Sequence, residues 1–315
     1  MTTPLIIDTD PGVDDAFALA LAVASPEVEL LGVTTVFGNV ALPDTTENAL
    51  RLRALLGRED VPVAVGAARP LVHPQPRLSS AHGSDGLSGF RHTLPEPTAP
   101  VDARDAVTLL RELLEAADRP VTVVPVGPLT NIALLLAAHP HVKPKIARLV
   151  IMGGGLEGGN ITASAEFNLW CDPEAARRVL ADEDVPTTLV TMDLTSRCAV
   201  SGEWLDDLAR TSARAAKLVG LTPDYLATYR RFLGIDGMAV HDAVAVAEAI
   251  RPGLLTTAAY PVDVECAFGP SRGAVVADRR LDAPAGRRVD VTTGADLPAV
   301  RDFLFERLGA LGDGE

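Results

Sequence analysis

The sequence predicts an α/β fold built on an open, mostly parallel β-sheet that is flanked by helices. Short β-branched runs alternate with helical stretches through the first half of the chain. These runs are continuously apolar, which is typical of strands buried on both faces of a parallel sheet. Polar residues recur directly after the runs, at the strand ends where open α/β sheets bind their ligands.

The predicted elements of the first half alternate between strand and helix. Strands are predicted at residues 5–7, 30–36, 61–65, 121–126 and 147–152, and helices at 14–24, 45–56, 102–117 and 130–138. Residues 67–101 interrupt this alternation with six prolines and three glycines. A loop of this length inside a folded domain is usually functional or disordered. Its HGSDGLSG core contains a histidine, so we expect a loop that faces the site, with disorder as the alternative.

From residue 153 the pattern changes to a glycine-rich loop followed mainly by helices. Asp172 and Pro173 are expected to begin a helix after that loop, because aspartate caps a helix and proline suits its first turn. The sequence after this helix predicts a strand at 188–192 and helical structure from 202 to 250. It then predicts strands within 258–276 around a turn at 269–273, and a closing helix at 297–308. Without an internal repeat or a long linker, residues 1–315 are predicted to form a single domain with additional helices in its C-terminal half.

Composition and charge narrow the class of protein. The 315 residues carry a formal net charge of −14, which disfavours nucleic acid and anionic membranes as partners. No apolar stretch is long enough to span a bilayer, and the N-terminus does not resemble a secretion signal. The three cysteines contain no CxxC pair, so we expect neither disulfides nor a zinc cluster. These features predict a cytoplasmic protein.

The segment LIIDTDPGVDDA crowds four aspartates into eight residues, Asp8, Asp10, Asp14 and Asp15. Asp14 and Asp15 fall in the first turn of a predicted helix, where carboxylates also serve as caps. Capping does not account for Asp8 and Asp10. Side chains alternate between the two faces of a strand, so these two aspartates, two residues apart, lie on the same side of the strand end. Carboxylates packed together raise one another's pKa unless a cation neutralises them. Oxygen ligands in this number suit Ca²⁺ or Mg²⁺.

Two enzyme families combine such aspartates with a first strand. The haloacid-dehalogenase type of phosphotransferase is a poor match, because DTDPG has glycine where that motif requires threonine or valine. The chain instead resembles the inosine–uridine nucleoside hydrolases. The similarity is carried, in order, by DTDPGVDDAFAL, VFGNV, VGPLTNIA, IMGGG, NITASAEFN and HDAVAVA, between residue 5 and about residue 250.

The resemblance implies a Rossmann-like fold and Ca²⁺-dependent hydrolysis of ribonucleosides to ribose and free base. It implies water activated by the metal, Asp10 as general base and inversion at the anomeric carbon, without a covalent intermediate. By resemblance the metal ligands are Asp10, Asp15, Asp242 and the backbone carbonyl of Val126. The implied ribose-binding residues are Asp14, Asn39, Asn160, Glu166 and Asn168. The i, i+2 spacing of Glu166 and Asn168 predicts an extended segment in which both side chains face one ligand. Asp8 is expected to support them through hydrogen bonds.

Histidines and tyrosines are candidates for the end of the site that holds the base. His241 precedes a proposed ligand, and His82 lies in the HGSDGLSG loop; either could protonate the leaving group, given the ordinary pKa of histidine. Tyr225 and Tyr229 share a helix face at i, i+4. The resemblance places such aromatics beside the base, whereas core packing is their ordinary role. For Asn160, a simple turn is an equally good interpretation.

Several functional questions stay open from the sequence. A nonspecific or inosine/uridine-type preference is predicted, and a pyrimidine-specific ribohydrolase is the alternative. A ribose- or nucleoside-binding protein without turnover is an alternative of a different class. A homodimer or homotetramer is expected from the resemblance, with a small-molecule nucleoside as the partner.

Overall fold

The structure is a computed structural model that describes residues 2–73, 78–79, 81–283 and 286–313. Residues 74–77 and 80 of the predicted 67–101 loop lie outside the described residues. Within that loop, the segment around His82 is described and lies at the site, as expected.

An eight-stranded sheet forms the centre of the fold. Its order is β3 (Val63–Val65), β2 (Val28–Thr35), β1 (Thr3–Thr9), β4 (Val121–Pro125), β5 (Ile146–Met152), β6 (Thr187–Val190), β12 (Val289–Ala295) and β9 (Leu255–Tyr260). All neighbouring pairs are parallel except β12 with β9. The chain winds from β1 toward β3 on one side and from β4 toward β6 on the other, which is the strand order of Rossmann folds. The predicted α/β class with a mostly parallel sheet is confirmed.

Helices cover both faces of this sheet. The first half contributes α1 (Val13–Ala24), α2 (Leu42–Leu55), α3 (Ala106–Ala116) and α4 (Thr130–Ala138). The second half contributes α5 (Phe167–Cys171), α6 (Pro173–Arg177), α7 (Met192–Thr195), α8 (Gly202–Ala209), α9 (Ala213–Val219), α10 (Pro223–Leu233), α11 (His241–Ile250) and α12 (Leu297–Leu308). Two short antiparallel pairs lie outside the sheet: β7 (Val200–Ser201) with β8 (Gly237–Met238), and β10 (Val262–Val264) with β11 (Val275–Ala277).

The inner strands β1, β4 and β5 are largely apolar because each face of the sheet has its own core. Ile6, Val123 and Ile151 belong to one buried cluster. Ile7 and Val124, which alternate with them along the strands, belong to the cluster on the other face. Successive strand residues point to opposite faces, so both sets must be apolar.

Helices α1 and α11 pack against each other on one face of the sheet. Both are rich in fully buried alanine and valine, and these small side chains let the two backbones approach closely. Both helices begin at the edge of the sheet where β1 and β4 end. Their first turns therefore bring Asp14 and Asp15 of α1 close to Asp242 of α11.

The structure differs from the prediction mainly at element ends and at one strand. Helix α3 begins at Ala106, because the Asp105 carboxylate caps it by accepting the Thr108 N–H at 2.9 Å. Strand β12 was not predicted. Its sequence VDVTTGA alternates apolar with polar residues and contains a glycine, which is a weaker signal than a continuous apolar run. The predicted hairpin around residues 269–273 is confirmed as β10–β11.

Candidate active site

A cavity of about 480 Å³ opens at the carboxyl ends of β1, β4 and β5. Strand order reverses between β1 and β4, so the loops that follow them diverge and leave a crevice. All the residues predicted for the site line this cavity, except Asp10 and Asp15. Those two carboxylates are fully buried.

Three carboxylates converge at the cavity floor. Asp14, Asp15 and Asp242 each place a carboxylate oxygen within 4.8 Å of the others, an arrangement that could hold a metal ion. Burial raises the pKa of all three, and the charge of Asp15 raises that of Asp14 further. The N-termini of α1 and α11 face the group and favour negative charge there, but a cation compensates three buried carboxylates far better.

Asp10 lies next to this group with one oxygen unsatisfied. Its Oδ2 accepts the Asn39 N–H at 2.7 Å, while its buried Oδ1 has no hydrogen-bond partner among the described residues. Burial, and then the charge of Asp15, raise the pKa of Asp10. A Cβ on either Gly38 or Gly127 would overlap the Asp10 carboxylate, so two backbones hold it in place. The orphaned oxygen and the all-oxygen donor set fit a hard divalent cation.

Asp15 is oriented by three donors. The Thr9 hydroxyl donates to its Oδ1, and the Gly12 N–H donates to its Oδ2 at 2.9 Å. The Asn39 Nδ2 also donates to Oδ2, at 3.2 Å, and to the Asp10 carbonyl at the same distance. Asn39 thus joins the two carboxylates. Thr9 was not singled out from the sequence, although it stands between Asp8 and Asp10.

Asp8 anchors the ends of the strands below the cavity. It accepts hydrogen bonds from the Thr34 hydroxyl at 2.5 Å and from Asn131 Nδ2 at 2.7 Å. Burial raises the pKa of Asp8 to about 7. Asn131 also donates to the Thr35 carbonyl and accepts the Ala67 N–H, so it links β1, β2 and the start of the 67–101 loop. Asn131, too, was not singled out from sequence.

Glu166, Asn168 and Asn160 line another wall of the cavity. The prediction that Glu166 and Asn168 share an extended segment is wrong, because α5 begins at Phe167. Glu166 caps that helix by accepting the N–H groups of Asn168 at 2.9 Å and Leu169 at 3.3 Å. Asn168 Nδ2 donates to the Val126 carbonyl at 2.8 Å, and Asn160 Oδ1 accepts the Phe167 N–H.

His82 lies beside the aspartate group, with its Nδ1 3.8 Å from Asp14 Oδ1, as a neutral ring of fixed orientation. Its Nδ1 accepts the Val13 N–H at 3.1 Å, so its proton is on Nε2. The ring stacks on Tyr225 with centroids 4.6 Å apart. Burial lowers the pKa of His82 to about 3. The ordinary histidine pKa expected from the sequence is therefore wrong for His82.

His241 contacts a hydroxyl on each side of its ring. Its Nδ1 lies 2.6 Å from Thr195 Oγ1, and its Nε2 lies 2.8 Å from the Tyr229 hydroxyl. Burial lowers the pKa of His241 to about 4, so this ring is also neutral near pH 7. Tyr225 and Tyr229 share a helix face as predicted, with ring centroids 5.0 Å apart. Thr195 was missed, because nothing in the sequence relates it to a histidine in another helix.

Gly12 shows how tightly the site is packed. The sequence suggests that Gly12 permits a sharp turn, but its φ of −106° is open to any residue. The constraint is space: a Cβ would lie 2.7 Å from His82 Nδ1 and 2.8 Å from Asn39 Nδ2.

We expect Gly12→Ala to lower kcat/KM by roughly 10- to 100-fold, because it displaces His82 or Asn39. Steady-state kinetics of base release from a nucleoside measure the effect. Gly202→Ala is the matched control, since a Cβ there meets nothing within 4 Å. Equal activity of the two variants would show that the contacts around Gly12 do not matter for turnover.

Comparison with known proteins agrees with this geometry. The model of a family described as inosine-uridine preferring nucleoside hydrolase matches residues 5–302. A pyrimidine-specific ribonucleoside hydrolase (RihA) of Photobacterium profundum is 40% identical over 310 residues, 98% of this chain and 99% of that protein.

Solved structures resemble the chain over almost its full length. A purine-preferring ribonucleoside hydrolase from Gardnerella vaginalis superposes with a TM-score of 0.91 at 30% identity, covering 98% of this chain and 99% of that one. A plant nucleoside hydrolase gives the same TM-score and coverage at 31% identity. The chain therefore belongs to the inosine-uridine preferring nucleoside hydrolase family and is an enzyme that hydrolyses ribonucleosides.

Proposed function

We propose that this enzyme cleaves the N-glycosidic bond of purine and pyrimidine ribonucleosides with Ca²⁺ as its metal and Asp10 as the general base. The observation that carries the proposal is the orphaned Oδ1 of Asp10 beside the Asp14–Asp15–Asp242 group. A buried carboxylate oxygen without a partner is costly unless a cation or a water occupies the space in front of it.

Asp10, Asp15, Asp242 and the Val126 carbonyl would hold the cation. Histidine and cysteine are absent from this set, and oxygen ligands alone favour Ca²⁺ over zinc. When bound, Ca²⁺ supplies positive charge that acidifies a water molecule beside the anomeric carbon. Asp10, held between Gly38 and Gly127, accepts the proton of the attacking water. Attack from the face opposite the base inverts the anomeric carbon.

The remaining polar residues would bind the ribose. Asp14 accepts a hydrogen bond from one ring hydroxyl, while Asn39, Asn160, Glu166 and Asn168 offer further donors and acceptors around the cavity. The carboxylates also complement the positive charge that develops on the sugar ring in an oxocarbenium-like transition state. Hydroxyl contacts on several sides orient the anomeric carbon toward the attacking water.

The departing base accumulates negative charge and needs hydrogen-bond donors. His82 can donate from Nε2, because its Nδ1 is occupied by the Val13 N–H. His241 also lines the cavity, and its Nε2 is hydrogen-bonded to the Tyr229 hydroxyl, which can pass a hydrogen bond on to the base. Both imidazoles are neutral near pH 7, since burial lowers their pKa. We therefore assign His82 and the His241–Tyr229 pair as neutral donors to the base.

The base preference is proposed from the cavity and the relatives together. A cavity of about 480 Å³ lies within the usual range for small-molecule sites. We propose that inosine and uridine are both substrates. The second candidate is a pyrimidine-specific enzyme, which the names of relatives 36–40% identical to this chain favour.

The test is release of free base from inosine, uridine, cytidine and adenosine, with and without exhaustive chelation. We expect release from inosine and uridine that chelation stops and Ca²⁺ restores. Release from uridine and cytidine alone would select the pyrimidine-specific candidate. Release that survives chelation would overturn the metal assignment, and nucleoside binding without any release would support a binding protein.

We further propose that the enzyme works in the cytoplasm as a homodimer or homotetramer, without a nucleic-acid or membrane partner. Among the described residues, no helix is long and apolar enough to cross a membrane. Light scattering coupled to size-exclusion chromatography measures the oligomeric state. The organisation of residues 1–315 as one domain stays a prediction.

A further inference from the structure

Thr195, His241 and Tyr229 form a continuous chain of polar contacts from the protein core to the cavity. Thr195 is the last residue of α7 and is fully buried. Its Oγ1 lies 2.6 Å from His241 Nδ1, and the other ring nitrogen lies 2.8 Å from the Tyr229 hydroxyl. Tyr229 and His241 line the cavity, whereas Thr195 does not.

The lengths of these contacts indicate the direction of the hydrogen bonds. A neutral imidazole carries one N–H, so only one of the two hydroxyls can donate to the ring while the other accepts from it. Hydroxyl donors give shorter contacts than N–H donors, and the contact to Thr195, at 2.6 Å, is shorter than the contact to Tyr229, at 2.8 Å, which points to the Thr195 hydroxyl as the donor to Nδ1. The other acceptor within its reach, the Met192 carbonyl, is 3.4 Å away and competes weakly.

A proton donated to Nδ1 places the ring's own proton on Nε2. His241 then donates from Nε2 to the Tyr229 oxygen, which leaves the Tyr229 hydroxyl hydrogen available to the cavity. The Tyr225 oxygen, 3.4 Å away, is a weak competitor for it. Hydrogen bonds that run in one direction polarise one another. In the opposite tautomer, Tyr229 would donate back to His241 and could not donate to a ligand.

We propose that Thr195 is a positioning residue, which holds His241 in its Nε2–H tautomer and so makes Tyr229 a hydrogen-bond donor to the leaving base. The inference rests on the proposed function, in which a base departs with the electron pair of the glycosidic bond. Thr195 transfers no proton and touches no substrate. Its effect is to orient a chain of donors toward the developing negative charge.

Thr195→Val removes the hydroxyl while keeping the shape of the side chain. We expect kcat for inosine or uridine to fall at least about 10-fold, because leaving-group stabilisation is lost. For p-nitrophenyl β-D-riboside, whose leaving group needs no such help, we expect a loss below about threefold. KM should change little in both cases, and Thr195→Ser should restore nucleoside turnover.

Thr191→Val is the matched control for a deleted buried hydroxyl. Thr191 lies in the same segment and bonds to Thr292, not to a histidine. The Thr191→Val variant should keep the wild-type ratio of nucleoside turnover to p-nitrophenyl riboside turnover. A general loss of stability would affect both substrates alike and is thereby separated from the positioning role.

Nitrogen-15 NMR of histidine-labelled protein tests the tautomer without substrate. The wild type should show an unprotonated Nδ1 and a protonated Nε2 for His241, and Thr195→Val should lose this pattern. A protonated Nδ1 in the wild type, or equal losses on both substrates in Thr195→Val, would overturn the inference alone. A wild type that releases neither base nor p-nitrophenol would overturn the proposed function, and with it the role of Tyr229.

Discussion

Asp10→Asn is expected to lower kcat/KM for nucleosides by roughly 10³-fold or more, since loss of a general base costs about 10²–10⁴-fold and the metal site also weakens. Asparagine keeps the shape of the side chain between Gly38 and Gly127, and its oxygen can still accept the Asn39 N–H. It lacks the negative charge and cannot accept a proton from water. Base release measures the activity, and calorimetric titration with Ca²⁺ measures the loss of affinity.

Asp8→Asn is the matched control for this variant. Asp8 is also buried, near the end of β1 and two residues before Asp10, but both of its hydrogen bonds go to one oxygen, which asparagine retains. We expect kcat/KM of Asp8→Asn to fall by less than about 10-fold, because the change only shifts a supporting group slightly. If Asp10→Asn kept a tenth or more of wild-type activity, the general-base assignment would be wrong.

Asp242→Asn is expected to abolish both activity and stabilisation by Ca²⁺. In the wild type, Ca²⁺ at 100 times its Kd should add about 2.7 kcal/mol to the free energy of unfolding. The variant should show no rise in melting temperature with Ca²⁺. In chelator it should melt above the wild type, because one of three mutually repelling buried carboxylates is gone.

The pH dependence of stability in the presence of chelator follows from the same carboxylate, Asp242. Burial raises the folded-state pKa of Asp242 above its unfolded value. Its stabilising contribution is therefore complete below the unfolded pKa and is lost as pH rises through the folded pKa. Between these two pKa values the metal-free wild type should lose stability with rising pH more steeply than Asp242→Asn.

Asp172→Asn is the control for Asp242→Asn. Asp172 is also a buried carboxylate at a helix start, but it bonds to Thr130, Leu71 and Ala175 and lies outside the aspartate group. Asp172→Asn should destabilise the protein with or without Ca²⁺, and Ca²⁺ should still raise its melting temperature as much as it does for the wild type. If Ca²⁺ still raised the melting temperature of Asp242→Asn, Asp242 would not be a metal ligand.

Much of the site was predictable because its residues follow buried strands or begin helices. Asp8, Asp10, Asp14 and Asp15 lie within one strand–turn–helix segment, so their proximity follows from local geometry alone. Residues that follow parallel strands gather at one edge of the sheet, which accounts for Asn39 and Val126. The segment from Glu166 to Asn168 was placed correctly beside the cavity but with the wrong backbone conformation, because a capping carboxylate there starts a helix.

The sequence by itself determined the α/β class, the family and the carboxylates of the first strand–helix turn, since these depend on periodicity and short-range order. Only the tertiary structure decided which distant groups meet. The packing of α11 on α1 joins Asp242 to Asp14 and Asp15. The neighbouring α7 places Thr195 against His241, and burial removes the histidine charge. Such contacts arise from side-chain packing between separate elements, and no local pattern in the chain encodes them.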